Sequence, residues 1–189
     1  MNTKDLTPED SVLLIAKTIQ ETKSRFVQSG HIYILWGVLM FAVTLCQYIL
    51  IRSGLSNFTG WPCLLYPLGG IYTWIYYRKK YWNLPRTIIG NILGALGGVL
   101  GLNLMILGFF FWDQLGDTMA PVFLILLAIF NVITGVAIKH YPLIIGGILM
   151  NMIGIGLFFV NWESHSLFMS IAAVIAFVIP GILLNRAQG

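Results

Sequence analysis

The chain has 189 residues, of which 58% are hydrophobic and 10% charged, with a formal net charge of +4. A soluble domain carries about 25% charged residues, so this composition cannot cover a water-facing surface and excludes a soluble globular class. What remains is an all-α polytopic membrane protein, in which the basic excess is a topology signal.

The first predicted element lies outside the bilayer, over residues 1–30. Thr7-Pro8-Glu9-Asp10 has the chemistry of a helix start. Threonine can cap, proline suits the first helical position, and two acids favour the positive end of the dipole. Val12, Ile15, Ala16, Ile19 and Phe26 then share one face, with Lys17, Glu21 and Arg25 along a polar side. This predicts an amphipathic helix lying flat on the membrane or across the ends of the bundle, stopped by Gly30. It would serve as a topogenic anchor or as a docking surface for a cytoplasmic partner. Acids and lysines interleave through residue 25, so a cleavable signal peptide is not expected.

Six apolar stretches follow, at 32–51, 61–77, 88–111, 119–138, 142–160 and 167–184. Each is close to the roughly 20 residues that cross a bilayer as helix. The second is the shortest and holds Pro62, Pro67 and Gly69-Gly70, so a bend is expected there. The third carries Gly90, Gly94, Gly97, Gly98, Gly101 and Gly108 within an arc of roughly 100°. Without Cβ atoms, two backbones approach closely along such a face. The expected neighbour is a helix of the same chain, with a second copy in a homo-oligomer as the alternative. Only Lys139-His140-Tyr141 separates the fourth and fifth stretches, which should form an antiparallel hairpin. Asn131 and Asn151 would lie about 10 Å and about 13 Å from its turn. A hydrogen bond between the two amides, worth about 0.6 kcal/mol, is expected across the hairpin.

The loops orient the bundle. Ten of the eleven Lys and Arg residues fall on one side once six spans are threaded. The positive-inside rule then puts both termini in the cytoplasm. Trp61, Trp112 and Trp162 mark the outer ends of spans, and Tyr76, Tyr77, Tyr81, Trp82 and Tyr141 the inner ends. Arg78, Lys79, Lys80 and Trp82 should touch anionic lipid headgroups. With Arg86 this loop holds four basic residues, too small a footprint for nucleic acid.

Chemistry is sparse. No Asp, Glu, Lys, Arg or His lies inside a predicted span, which argues against a proton relay or ion-coupled carrier. HExxH, GxSxG, P-loop and CxxC motifs are absent, so an enzyme is not expected. Asn103, Asn131 and Asn151, with Trp36 and Trp74, are the residues that could line a pocket for a neutral or amphiphilic solute. Asp113, Asp117, Glu163 and His165 could gather around a divalent metal, but solvated acidic loops are the commoner reading; no cofactor or metal is assigned. Cys46 and Cys63 could meet as a disulfide, although two buried thiols are the simpler expectation.

The order of features carries a resemblance. An amphipathic segment leads into Ile34-Leu35-Trp36-Gly37, and Pro142-Leu143-Ile144-Ile145-Gly146-Gly147 and Ile179-Pro180-Gly181 follow near the end. This resembles a group of uncharacterised small six-span bacterial inner-membrane proteins, which implies the same location but no activity or site residues. At the level of architecture alone, six spans with cytoplasmic termini also look like the substrate-binding membrane subunits of vitamin transporters. The expected protein is therefore a cytoplasmic helix over 1–30 and a six-helix membrane domain over 31–189. Its leading role is that of a non-enzymatic regulatory or accessory subunit acting through membrane lipids and protein partners. Small-molecule binding or transport is the alternative.

Overall fold

Helix is what the composition dictates in a bilayer, because a helix satisfies its own backbone hydrogen bonds. A computed structural model of the protein describes residues 12–14, 16, 30–81 and 88–186, the side chains at 80 and 81 excepted. Among the described residues there is helix and turn but no strand. Five helices are long and apolar enough to cross a membrane: Gly30–Arg52, Ile88–Phe110, Trp112–Ala137, Tyr141–Phe159 and Trp162–Arg186. They match five of the six predicted stretches.

The remaining stretch is helical but different. Trp61–Leu64 forms a 3-10 turn holding Pro62, and α2 (Leu65–Tyr81) follows with 17 residues. Pro67 sits in the first turn of α2, where its missing N–H would lack an intrahelical partner anyway. The expected irregularity is thus placed ahead of α2. The last turn of α2 includes Arg78, Lys79 and Lys80, which lowers its apolar character below that of the other five.

At the N-terminus, Val12, Leu13, Leu14 and Ala16 are helical and exposed. The rest of the predicted amphipathic helix lies outside the described residues. The join between that helix and its predicted stop, Gly30, also lies outside the described residues. Gly30 itself is helical, at the start of the described part of α1 (Gly30–Arg52), and buried where an added Cβ would collide with the Asn185 side chain.

Four membrane-length elements make the core. They are α1, α5 (Met119–Ala137), α6 (Tyr141–Gly156), and the pair α7 (Trp162–Ala173) and α8 (Ile179–Arg186), joined through a π turn at Val174–Val178. Leu124, Ala128, Leu143, Met150, Ala172 and Ala176 are fully buried between them. The α5–α6 hairpin is the most extensive contact. It closes at backbone distance because a Cβ on Gly135 would lie 2.9 Å from the Ile144 nitrogen, and one on Gly147 3.0 Å from that of Val132. Its turn is a Schellman end. The His140 N–H donates to Gly135 O at 2.8 Å and the Lys139 N–H to Val136 O at 3.2 Å, with Lys139 at φ 53°. Pro142 then opens α6.

Two helices flank this core. α2 is tied to α1 by a relay in which the Trp36 indole N–H donates to Thr73 Oγ1 at 3.0 Å and Thr73 donates to Gly69 O at 2.8 Å. Nearer the connecting loop, Gln47 Nε2 donates to Thr59 O at 3.0 Å and to Cys63 Sγ at 3.3 Å. α3 (Ile88–Phe110), which the short α4 (Trp112–Leu115) follows, rests on α5, and Leu93 is the only buried residue of α3. Its glycine stripe is split. Gly97 and Gly108 face Phe130 and Phe123 of α5, whereas a Cβ on Gly94, Gly98 or Gly101 would meet nothing within 4 Å. The expectation of an intrachain seat therefore holds for one edge of the stripe and not for the other.

Candidate functional site

The deepest polar group grows out of a proline. Pro180 has no N–H to give to the carbonyl four residues back, Ala176 O, and the helix widens into the π turn Val174–Val178, closed by Ile179 N–H to Val174 O. Asn131 of α5 fills the gap: its Nδ2 donates to Ala176 O at 3.4 Å and approaches Met150 Sδ at 4.0 Å. Gly146 lets α6 close on the same place, where a Cβ would lie 3.0 Å from Ile175 O and 3.3 Å from Pro180 Cγ. Asn131 Oδ1 and, one turn on, Thr134 Oγ1 are buried without a hydrogen bond. The Tyr33 phenol neighbours Thr134 but falls short of good hydrogen-bond geometry. Tyr33 in turn stacks on Phe177 of the π turn, 6.3 Å between ring centroids.

The predicted amide pair does not form. Asn131 is committed to Ala176, and Asn151 is half-buried with no bond to it. The cause is angular. Gly147 and Gly154 meet α5 while Gly146 meets the π turn, so at 100° per residue Asn151 lies on the flank of α6 turned away from that turn. Asn131 lies on the flank of α5 turned towards it.

The other candidate pocket residues are spread over the molecule. Trp36 is half-buried and spent on Thr73, Trp74 is exposed on α2, and Asn103 is exposed on α3 with no hydrogen bond. At the basic end, the Arg78 guanidinium lies 5.1 Å over the Trp74 ring and Lys79 is exposed. The Lys80 side chain and Trp82 lie outside the described residues. His31 packs edge-on against Tyr76, 4.5 Å between centroids, and pins this end of α2 to α1. Cys46 and Cys63 are free thiols; Cys46 is exposed and Cys63 half-buried, so neither the disulfide nor two buried thiols is found.

At the opposite end of the bundle, a cleft of about 420 Å³ opens between the 3-10 turn Gly116–Thr118 and the start of α7. Asp117, Glu163 and His165 all line it, and Asp113 does not. Among the described residues no group of three His, Cys, Asp or Glu side chains is arranged to hold a metal. His165 is spent on the backbone: its Nε2 lies 3.0 Å from Leu157 O and 2.9 Å from Val160 O, where the chain leaves α6. Both partners are acceptors, so Nε2 carries the proton. Sequence reasoning missed this capping role. The available signal was a histidine just inside a helix that begins within a few residues of the preceding helix end. Glu163, in the first turn of α7, matches the positive end of that helix.

The chain matches no protein-family model, no curated protein and no solved structure.

Proposed function

We propose that this is a non-enzymatic six-span protein of the bacterial inner membrane, with both termini cytoplasmic, that works as an accessory subunit by packing against another membrane-spanning polypeptide. α2 is the sixth span in this reading, extended outward by the 3-10 turn Trp61–Leu64. The basic end of α2, including Arg78 and Lys79, rests on anionic headgroups, and the segment before Gly30 lies on the same face as an amphipathic helix.

One observation carries the reading. Asn103 projects from α3, seven residues before the helix ends and about 10 Å inside it, exposed and without a hydrogen bond. Hydrocarbon cannot satisfy an amide, whereas a neighbouring helix can. Among the five membrane-length helices α3 also has the smallest share of buried residues, and half its glycine edge is open. An internal solute pocket finds less support, because the core is packed mainly with apolar side chains around Asn131 and Thr134 and the candidate asparagines and tryptophans face different surroundings.

Native mass spectrometry of the protein released from lipid nanodiscs tests this. The expected result is a stoichiometric second polypeptide, either another copy or a different chain. A single chain carrying only lipid would overturn it.

A further inference from the structure

Threonines inside these helices show two habits. Thr44 and Thr73 turn their hydroxyls back and donate to the carbonyls four residues earlier, Met40 O and Gly69 O, each at 2.8 Å. Thr134, in the last turn of α5, is fully buried and makes no such bond, so its hydroxyl is turned away from its own backbone. One turn earlier, Asn131 is fully buried too. It spends Nδ2 on Ala176 O and leaves Oδ1 without a donor. Residues three apart share a helix face, about 5–6 Å between Cβ atoms. The two unsatisfied oxygens therefore sit side by side, on the flank of α5 that meets α1 and the π turn.

The contacts around them close a ring. Thr134 neighbours the Tyr33 phenol, Tyr33 stacks on Phe177, and Phe177 adjoins Ala176, whose carbonyl holds Asn131. The phenol falls short of a good bond to Thr134, and its oxygen, unlike the other two, is not sealed from the accessible surface. A ligand at this ring must donate to an amide oxygen and engage two hydroxyls. No Asp or Glu occurs in α1, α5, α6 or the π turn, so a buried cation would meet only uncharged oxygens. An anion would face Oδ1, which can only accept. A larger solute would have to displace Met150 or Ala176, both fully buried beside Asn131.

We propose that this ring binds a single water molecule, which donates to Asn131 Oδ1, bonds the Thr134 hydroxyl and takes the Tyr33 phenol as its third partner. Two bonds of about 2.8 Å span the separation that one helical turn imposes, and about three partners is the usual complement of a buried water. The water ties α1 to α5 next to the carbonyl that Pro180 leaves open, so hydration becomes part of what holds the π turn.

A crystal structure of the full-length protein grown from a lipid phase, at a resolution that shows ordered waters, tests this directly. The expected result is an isolated density peak about 2.6–3.2 Å from both Asn131 Oδ1 and Thr134 Oγ1. Clear density for both side chains with no such peak, or with a direct bond between them in its place, would overturn the assignment. Thermal unfolding of Thr134→Val gives a second reading, since valine keeps the shape and removes the hydroxyl. Loss of one of the water's partners should lower the unfolding temperature by about 2–4 °C. An unchanged or higher temperature is what removal of an idle buried hydroxyl would give, and it would also overturn the proposal. The density in the unaltered protein decides the matter if the variant does not fold.

Discussion

Two asparagines in apolar helices meet opposite fates, and the difference sets what each can do. Asn131 is fully buried and replaces the donor that Pro180 withholds from Ala176 O. Asn103 faces outward with nothing to bond. Asn131→Ala should therefore lower the stability of the isolated chain by about 1–2 kcal/mol, read as a drop in unfolding temperature. Asn103→Ala should leave that temperature unchanged. An equal drop for both would mean that Asn103 is satisfied within the chain. Depth could be read from the sequence for both residues, but facing could not. The expected bond from Asn131 to Asn151 rested on rise along the hairpin, and it failed on rotation about the helix axes. Pro180 held the clue that would have corrected it, since a proline inside a span leaves a carbonyl that some side chain must answer.

Glycine spacing has two meanings at the scale of helices. In the α5–α6 hairpin it marks real backbone contact, with Gly135 against Ile144 and Gly147 against Val132. In α3 the same kind of pattern is half used, and Gly94, Gly98 and Gly101 open to the outside. Gly147→Ala should destabilise the isolated chain by about 1–3 kcal/mol, the usual range for overpacking. Gly98→Ala should be neutral or slightly stabilising in the isolated chain, because Ala is the better helix former. Thermal unfolding of the two variants side by side checks both. Loss of stability in Gly98→Ala would place another helix of the same chain over this edge. The stripe itself was plain in the sequence. Which part of it faces α5 depended on Leu93, Gly97 and Gly108 acting together, and that needs the partner helix in place.

The molecule as a whole is most legible in its apolar lengths. Five of the six predicted stretches appear as helices able to span, because an uninterrupted run of some twenty apolar residues leaves few alternatives. The remaining one is ambiguous for a physical reason: two prolines and a basic, tyrosine-rich end shorten its regular apolar part. The candidate sites were harder to read, since His165 and Asn131 act on backbone carbonyls that no motif announces. Cysteine labelling from the two sides of the membrane resolves the span count. Single cysteines ahead of Gly30, near Lys139 and beyond Arg186 should label from the cytoplasmic side, and one at Asp117 from the other; labelling ahead of Gly30 and at Lys139 from opposite sides would remove α2 as a span.

The partner reading stands or falls on what covers α3 in the membrane. Photo-crosslinking residues placed at 98 and 103 in the native membrane, with a third at exposed Met152 on α6 as the reference, address it directly. Protein adducts at 98 and 103, together with lipid adducts alone at 152, are the expected result. Lipid adducts alone at all three positions would contradict the proposal that α3 is where this protein meets its partner.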